Sequence, residues 1–374
     1  MRRSSPAAAP PAPIAPPRPA WRPRRRLRGA RSGLPFAVFL GRRCLSAIPQ
    51  LIGVSFLTFV IVRLLPADPA VSILGPYATP EGIARITHKY GLDQSLPSQY
   101  WDYMQRVVQG DLGTSWVTSS SVATDLARRL PATLELTSLS LIIAAAIAIP
   151  LGSRVASGGG RRWRRLANGY GLLAGALPEF WIGVILVYLL YVKWQVPGIA
   201  APSGQYDIGL GAPTKLTGMV ALDSLLIGDW EMLRSSLAHL VLPVMTLVIV
   251  LVGPILKVTT ATTSTVYRSD YIWYMRASGY PERVIRRRAT RNALPVIATL
   301  AATLYAYLLG GAVLVEKIFS WGGGGQYALD AVQHADLLAI QGFVVVAAAF
   351  TVVVYLVFDV VLAALDPRVG AGSQ

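Results

Sequence analysis

Residues 340–365 read IQGFVVVAAAFTVVVYLVFDVVLAAL, an apolar run broken by a single charge, Asp359. As a helix rising about 1.5 Å per residue, roughly 20 such residues cross the hydrocarbon core of a bilayer, which is about 30 Å thick. Five more stretches of this kind lie at 44–65, 132–152, 172–194, 237–256 and 294–315. The whole chain agrees with them: of 374 residues 53% are hydrophobic and 14% charged, and mean hydropathy is +0.48. That leaves too little polar surface for a water-soluble chain of this length. The fold class is read as an all-α integral membrane protein with six transmembrane helices.

An even number of spans puts both termini on one side, and basic residues near span ends stay in the cytoplasm. Residues 1–43 carry 11 Arg and no acid, 257–293 carry eight basic residues, 153–166 carry Arg154, Arg161, Arg162, Arg164 and Arg165, and the C-terminal end adds Arg368. Together these are 25 of the 35 Lys and Arg, whereas 66–131, 195–236 and 316–339 hold five, two and one. Both termini are expected in the cytoplasm, and the net charge of +16 reads as a topology signal, not a nucleic-acid footprint. Residues 1–43 have eight prolines within the first 23 positions and read as a disordered Pro/Arg-rich cytoplasmic tail. The run ending at Leu65 is of full spanning length and has no small-residue cleavage site, so the first span reads as uncleaved.

Catalytic chemistry is missing. A lone cysteine, Cys44, makes no intramolecular disulfide or thiolate cluster, and His88, His239 and His334 have no metal-ligand spacing. The runs 158–160 and 322–325 lack the Lys-Ser/Thr of a nucleotide loop and read as flexible turns at the membrane surface. No metal site, cofactor site or catalytic residue is therefore assigned. Carboxylates near hydrocarbon are the remaining candidates, because they are costly there unless they serve a pathway or a partner. Glu135 and Glu316 fall near span ends, where water is expected to reach them. Glu179, after Pro178 inside the third span, and Asp359 are the candidate pathway residues; Asp359 also has basic groups within reach at its end of the span. Gly171 and Gly175 form a G-x-x-x-G pair and read as a close-packing face. A secondary transporter needs internal repeats or a chain of carboxylates, and a membrane hydrolase needs a nucleophile with its base; neither pattern is evident.

The longest loop read as cytoplasmic, 257–293, contains YIWYMRASGYPERVIRRRATRNALPVIATL from Tyr271 onward. Gly279 supplies a helix stop, Pro281 fits the first position of a new helix, and Glu282 complements the positive end of that helix. Arg283, Arg287 and Arg291 repeat at i, i+4, i+8 on one face, with Val284 and Ile285 on an apolar flank. Glu282 and Arg286 stand at pairing distance. The expected form is helix, corner, helix, with a short helix parallel to the membrane that docks into a soluble partner or rests on headgroups.

These residues resemble a known family. Arg276-Ala277-Ser278-Gly279, followed by Leu294-Pro295, resembles the loop that marks permease subunits of ABC importers, in the dipeptide, oligopeptide and nickel branch. The resemblance extends over 42–70 (RRCLSAIPQLIGVSFLTFVIVRLLPADPA), 90–116, 310–332 and 365–368 (LDPR), covering about residues 42–369 in consistent order. Met275 departs from it by standing where a small residue is usual, and Gly322-Gly323 by replacing Pro-Gly.

The resemblance implies a type I importer permease: residues 44–369 as the transmembrane permease domain, 66–131 as a large external segment, 257–293 as the coupling loop, and 370–374 as a C-terminal tail. It implies a bacterial inner-membrane location, a second homologous permease, two cytoplasmic ATPase subunits or domains that hold ATP and Mg, and an external substrate-binding protein. Contact with the ATPase is expected from Arg276, Ala277, Gly279, Tyr280, Pro281, Glu282, Arg283, Val284 and Arg287. The implied cargo is di- or oligopeptide, with nickel, glutathione or haem as alternatives. The aromatic residues Tyr90, Tyr100, Trp101, Tyr103 and Trp116 suit a contact of the external segment with the binding protein or a membrane-surface belt.

Overall fold

The computed structural model describes residues 34–64, 69–74, 78–89, 93–158 and 160–365. Residues 1–33, Tyr90 and the end from residue 366, which includes Arg368 and the 370–374 tail, lie outside this description. The regular structure of the described chain is helical, joined by loops of which the longest is 194–219, with an isolated bridge between Thr114 and Ser121. Its elements are α1 (Leu34–Leu64), α2 (Pro69–Leu74), α3 (Pro80–Lys89), α4 (Leu96–Val108), α5 (Val122–Ala156), α6 (Arg161–Ala176), α7 (Glu179–Leu186), α8 (Val220–Ile227), α9 (Trp230–Tyr267), α10 (Asp270–Ala277), α11 (Glu282–Gly311), α12 (Val313–Ile318), α13 (Gly324–Gln333) and α14 (Leu337–Leu365). Residues 34–43, read from sequence as the end of the tail, are already helical in α1.

Among the described residues five helices are long and apolar enough to cross a membrane: α1 from Gly41, α5, α9, α11 and α14. The third expected span is a bent pair, α6 and α7, meeting at 100°, and counting it as one span gives six. The bend has a local cause. Pro178 cannot donate a helical hydrogen bond and drives the preceding residue out of the helical region, and both Leu177 and Pro178 are extended. Beyond Leu186 the pair continues as a π-helical stretch, Val187–Lys193.

α9, with 38 residues, is about 57 Å long at the standard helical rise and outreaches the hydrocarbon core at both ends. It is the axis of the bundle, with α5, α6, α8 and α11 packed around it. Lipid tails are as apolar as leucine, so helices here associate through close packing, not through hydrophobic exclusion. Small residues provide it. A Cβ on Gly152 of α5 would stand 2.8 Å from Thr259 of α9, and a Cβ on Gly253 of α9 would stand 2.8 Å from Ala174 of α6. The expected glycine face of the third span is therefore Gly171 with Ala174, turned inward on Gly253, whereas Gly175 meets open space. The hydroxyl of Tyr170 closes the same contact by donating to the Ile249 carbonyl at 2.5 Å.

Two carboxylates expected to meet water are buried instead. Glu316 in α12 has no exposed surface and is half a knot joining α12, α13 and α5. It accepts from the Thr133 hydroxyl at 2.6 Å and from the Gln326 amide at 2.8 Å, while Thr133 accepts from the Gly324 amide at 2.9 Å. The Trp321 indole N–H donates to the Ala132 carbonyl at 2.9 Å. The glycine run 322–325, expected to be a flexible turn, is wrapped onto this carboxylate: a Cβ on Gly323 would fall 2.5 Å from Glu316 and 2.6 Å from Thr133. Glu135, likewise buried, accepts from the Leu222 amide at 3.0 Å and so satisfies the N-terminal turn of α8. Sequence position alone does not reveal these roles, because the partners lie far away along the chain.

Asp223 organises the loop before α8. It accepts from the amides of Leu216, Thr217 and Gly218 and from the Thr217 hydroxyl, at 2.7 to 3.0 Å. Burial by itself pushes the carboxyl up, but these donors outweigh it and hold Asp223 below the usual aspartate value.

Two outcomes follow from this packing. Gly323→Ala is expected to lower the thermal midpoint of the detergent-purified protein, at a cost of about 1–3 kcal/mol from overpacking, whereas Gly175→Ala is neutral or gains roughly 0.5–1 kcal/mol in helix propensity. Because the folded Asp223 carboxyl lies below its unfolded value of about 3.9, its stabilisation is fully present above about pH 4 and is lost as the pH falls through the lower folded value. Thermal scans across the acid range should therefore show a shallower acid-side decline for Asp223→Asn than for the unaltered chain.

Candidate functional site

The corner that follows α9 is built by local rules. α9 ends at Tyr267, Ser269 is extended, and a separate helix of eight residues, α10, begins at Asp270. α10 ends in a reciprocal pair of backbone bonds: Gly279 N–H to Arg276 C=O at 3.0 Å and Tyr280 N–H to Met275 C=O at 3.1 Å. This closure needs a left-handed residue after the cap, and Gly279 supplies it with φ +78°. Pro281 is extended and caps α11, one residue earlier than expected, so that Glu282 opens the helix.

The expected helix, corner, helix is present with its parts redistributed. The short helix is α10, before the corner. The arginine-bearing helix after the corner is the first part of α11, a single 30-residue helix that continues into the fifth span through Pro295. Arg283, Arg287 and Arg291 are all exposed on one face. Glu282 pairs across the corner with Arg276, at 3.0 Å, and not with Arg286. The hydrogen bond that Arg276 donates to Glu282 raises its guanidinium above the ordinary value, but both side chains are about half exposed and the pair contributes little stability. The corner is held mainly by its own small core: Ile272 and Met275 of α10 against Ile285 and Ala289 of α11. Met275, the departure from the family's small residue, is 5% exposed and fills that core.

What projects from the corner is aromatic and basic. Trp273 is 72% and Tyr274 68% exposed, with Tyr271 and Tyr280 also exposed beside Arg276, Arg283 and Arg287. Aromatic residues and arginine are enriched in protein interfaces. Trp273 and Tyr274 are absent from the residues expected by sequence. The signal was the YIWYM run itself, in which Ile272 and Met275, three apart, are buried and the residues between them face outward.

The two candidate pathway carboxylates differ in their surroundings. Asp359 accepts from Arg43 at 2.7 Å and joins α14 to α1, so its charge is already matched. Glu179, first residue of α7 at the 100° bend, is half-buried, and no hydrogen bond or ion pair among the described residues engages it. Tyr307 of α11 lies within electrostatic range of it.

The segment read as external packs on itself, on α1 and on the start of α14. Tyr100 donates to the Ile52 carbonyl at 3.1 Å, and Phe59 stacks on Tyr103, whose hydroxyl burial pushes up to about 12. The Ser115 hydroxyl donates to Asp336 at 2.5 Å, and Asp336 in turn accepts from the Ala339 amide in the first turn of α14. Trp101 stays 65% exposed at the mouth of a 590 Å³ apolar cleft with Ile52, Met104 and Val108.

Met275→Ala is expected to cost about 2–5 kcal/mol, as for other large-to-small core substitutions, and to act locally. Amide hydrogen exchange should quicken across 270–285 and stay unchanged in α5 and α9.

Known proteins match this arrangement over most of its length. The family model described as the binding-protein-dependent transport system inner membrane component matches residues 148–371, and the model for the N-terminal part of such membrane components matches residues 36–137. The chain is 36% identical over 340 residues to the probable D,D-dipeptide transport system permease protein of Escherichia coli K12, covering 90% of this chain and 99% of that protein. It is 33% identical over 333 residues to the dipeptide transport system permease protein of the same organism, covering 88% and 98%. A glutathione transport system permease protein of Salmonella typhimurium is 32% identical over 329 residues, covering 88% and 97%.

Proposed function

Since the chain belongs to the binding-protein-dependent transport system inner membrane component family and is the multi-pass permease subunit of an ABC importer, we propose that it forms half of a pathway for di- and oligopeptides. ATP hydrolysis belongs to partner subunits of such importers, not to the permease. The peptide reading is supported by the two dipeptide permease relatives. A second reading, glutathione, is supported by the third relative and involves a closely related solute, itself a tripeptide.

The corner carries the mechanistic reading. Arg276, Ala277, Gly279, Tyr280, Pro281, Glu282, Arg283, Val284 and Arg287, together with the exposed Trp273 and Tyr274, form the contact with an ATPase subunit. Two such subunits and a second homologous permease complete the assembly, and ATP binding draws the two ATPases together. Because α11 runs without a break from the corner into the fifth span, displacement of the corner is delivered directly to that span. The small α10–α11 core keeps the lever stiff. The basic residues support an orientation with both termini and the corner in the cytoplasm of a bacterial inner membrane. The opposite end, where Trp101 is exposed beside its apolar cleft, then meets the external binding protein.

The test is reconstitution of the full complex in liposomes, with labelled alanyl-alanine, glutathione and nickel offered through the binding protein. ATP-dependent accumulation of the dipeptide is expected. Gly279→Val, strained at φ +78°, is expected to leave ATP hydrolysis running while uptake collapses, or to prevent ATPase recruitment altogether. Unchanged ATP-driven uptake by that variant refutes the corner as the coupling element.

A further inference from the structure

On the basic side of the bundle α6 and α9 enclose a cleft of 330 Å³. Its walls include Ala167, Asn168 and Leu172 of α6 and Leu256, Lys257 and Thr260 of α9. The inner end is closed where Gly171 and Ala174 press on Gly253. The two helices run in opposite directions there, so that moving outward from this contact both change character together. Leu172 and Leu256 give way to Asn168 and Lys257, and one turn farther α6 carries Arg164 and then Arg161. Arg164 precedes Asn168 by four residues and Gly171 by seven, and Arg161 precedes Asn168 by seven, so these positions share the face of α6 that borders the cleft.

The order along the cleft, apolar, then amide, then cationic, is the order of groups in a membrane lipid. The apolar run of α9 ends at Leu256 and that of the third span begins at Leu172, which sets the cleft at the level where hydrocarbon meets headgroups. Trp163, exposed on the adjoining turn of α6, suits the same level. Charge decides the kind of headgroup. Residues 153–169 hold five Arg and no acid, and Lys257 adds a cation in the cleft itself. Basic clusters of this size on a helix at the membrane surface attract anionic lipid. Other neighbours fit less well. A homologous permease obeys the same basic bias on this side, so two such rims repel each other. A water-soluble subunit is not matched to the apolar half of the cleft, where Leu172 is 75% exposed.

We propose that the α6–α9 cleft is a binding site for an anionic phospholipid of the leaflet on the basic side. Lys257 and Arg164 hold its phosphate, the Asn168 amide donates to it, and the start of an acyl chain lies along Leu172 and Leu256. The cleft takes the headgroup and that first stretch of chain, and the remainder stays in the bilayer. The lipid thereby completes the packing of α6 on α9 beyond the point where the small-residue contact ends, and it ties the basic end of α6 to the membrane surface. The site requires a bundle that spans a bilayer and is independent of which solute the importer carries.

The test uses the assembled complex in lipid nanodiscs and two photoreactive lipids with identical chains and a diazirine near the glycerol, one a phosphatidylglycerol and the other a phosphatidylcholine. Peptide mapping by mass spectrometry is expected to place the phosphatidylglycerol label within 161–172 or 256–260, at severalfold the phosphatidylcholine yield. Excess unlabelled phosphatidylglycerol is expected to displace it and glycerophosphate to leave it in place. Lys257→Gln combined with Arg164→Gln is expected to bring the two yields together. In the unaltered complex, which needs no variant to assemble, the phosphatidylglycerol excess is expected to shrink as salt is raised. Equal yields from the two lipids reduce the cleft to an unselective apolar groove, and displacement by glycerophosphate makes it a site for a soluble phosphoester. Absence of label from the cleft is the result expected if the second permease covers it. Each of these three outcomes, like an excess that ignores both salt and the double substitution, overturns the proposal.

Discussion

The approach of three neighbouring segments to α9 governs the rest of the molecule. Gly152 of α5 lies against Thr259, Ala174 of α6 against Gly253, and Gly183 of α7 against Thr246. At Gly152 and Gly253 an added side chain would push the neighbouring helix away, whereas at Gly183 it would only reach ordinary contact. In a bilayer this matters more than in water, because separated helices lose no hydrophobic free energy to solvent and only dispersion and polar contacts hold them. The bend between α6 and α7 is fixed by the same contacts, since both of its arms rest on α9.

At the membrane-distal parts of the bundle the constraint becomes polar. Glu316, Glu135, Asp223 and Asp336 are all buried, and each accepts from backbone amides or hydroxyls, Asp223 from the loop just before it and the other three from segments farther away along the chain. A buried carboxylate without such donors is strongly destabilising, so these four groups specify which turns may come together. Short helices such as α8 and α12, too small to persist alone, are held in place this way. The result is a frame that fixes the turns joining the spanning helices.

The corner at Gly279 differs in kind. Its stability comes from four apolar side chains and a backbone closure, while its charged and aromatic groups are turned outward. Such a unit can move as one body with α11, and the exposed Arg276–Glu282 pair can be remade against a partner at little cost. Met275 shows how a change from the family's small residue is absorbed: its added volume fills the space between α10 and α11 and does not disturb the surface that faces outward.

Much of this was legible in the sequence. Span number, the side bias of arginine, the glycine stop at 279 and the break after Pro178 are local or additive quantities, set by runs, sums and single-residue backbone preferences. The nine residues around Arg276–Arg287, named from the resemblance, lie together at one corner. Other features were decided only by folding. Thr133 and Glu316 are 183 residues apart, and Arg43 and Asp359 are 316 apart. No local pattern distinguishes a carboxylate that will be caged, like Glu316, or paired, like Asp359, from one with no partner among the described residues, like Glu179. Whether a charge is matched depends on which helices meet and at what angle. That is settled by packing around α9, whereas the hydropathy of each run was fixed residue by residue along the chain.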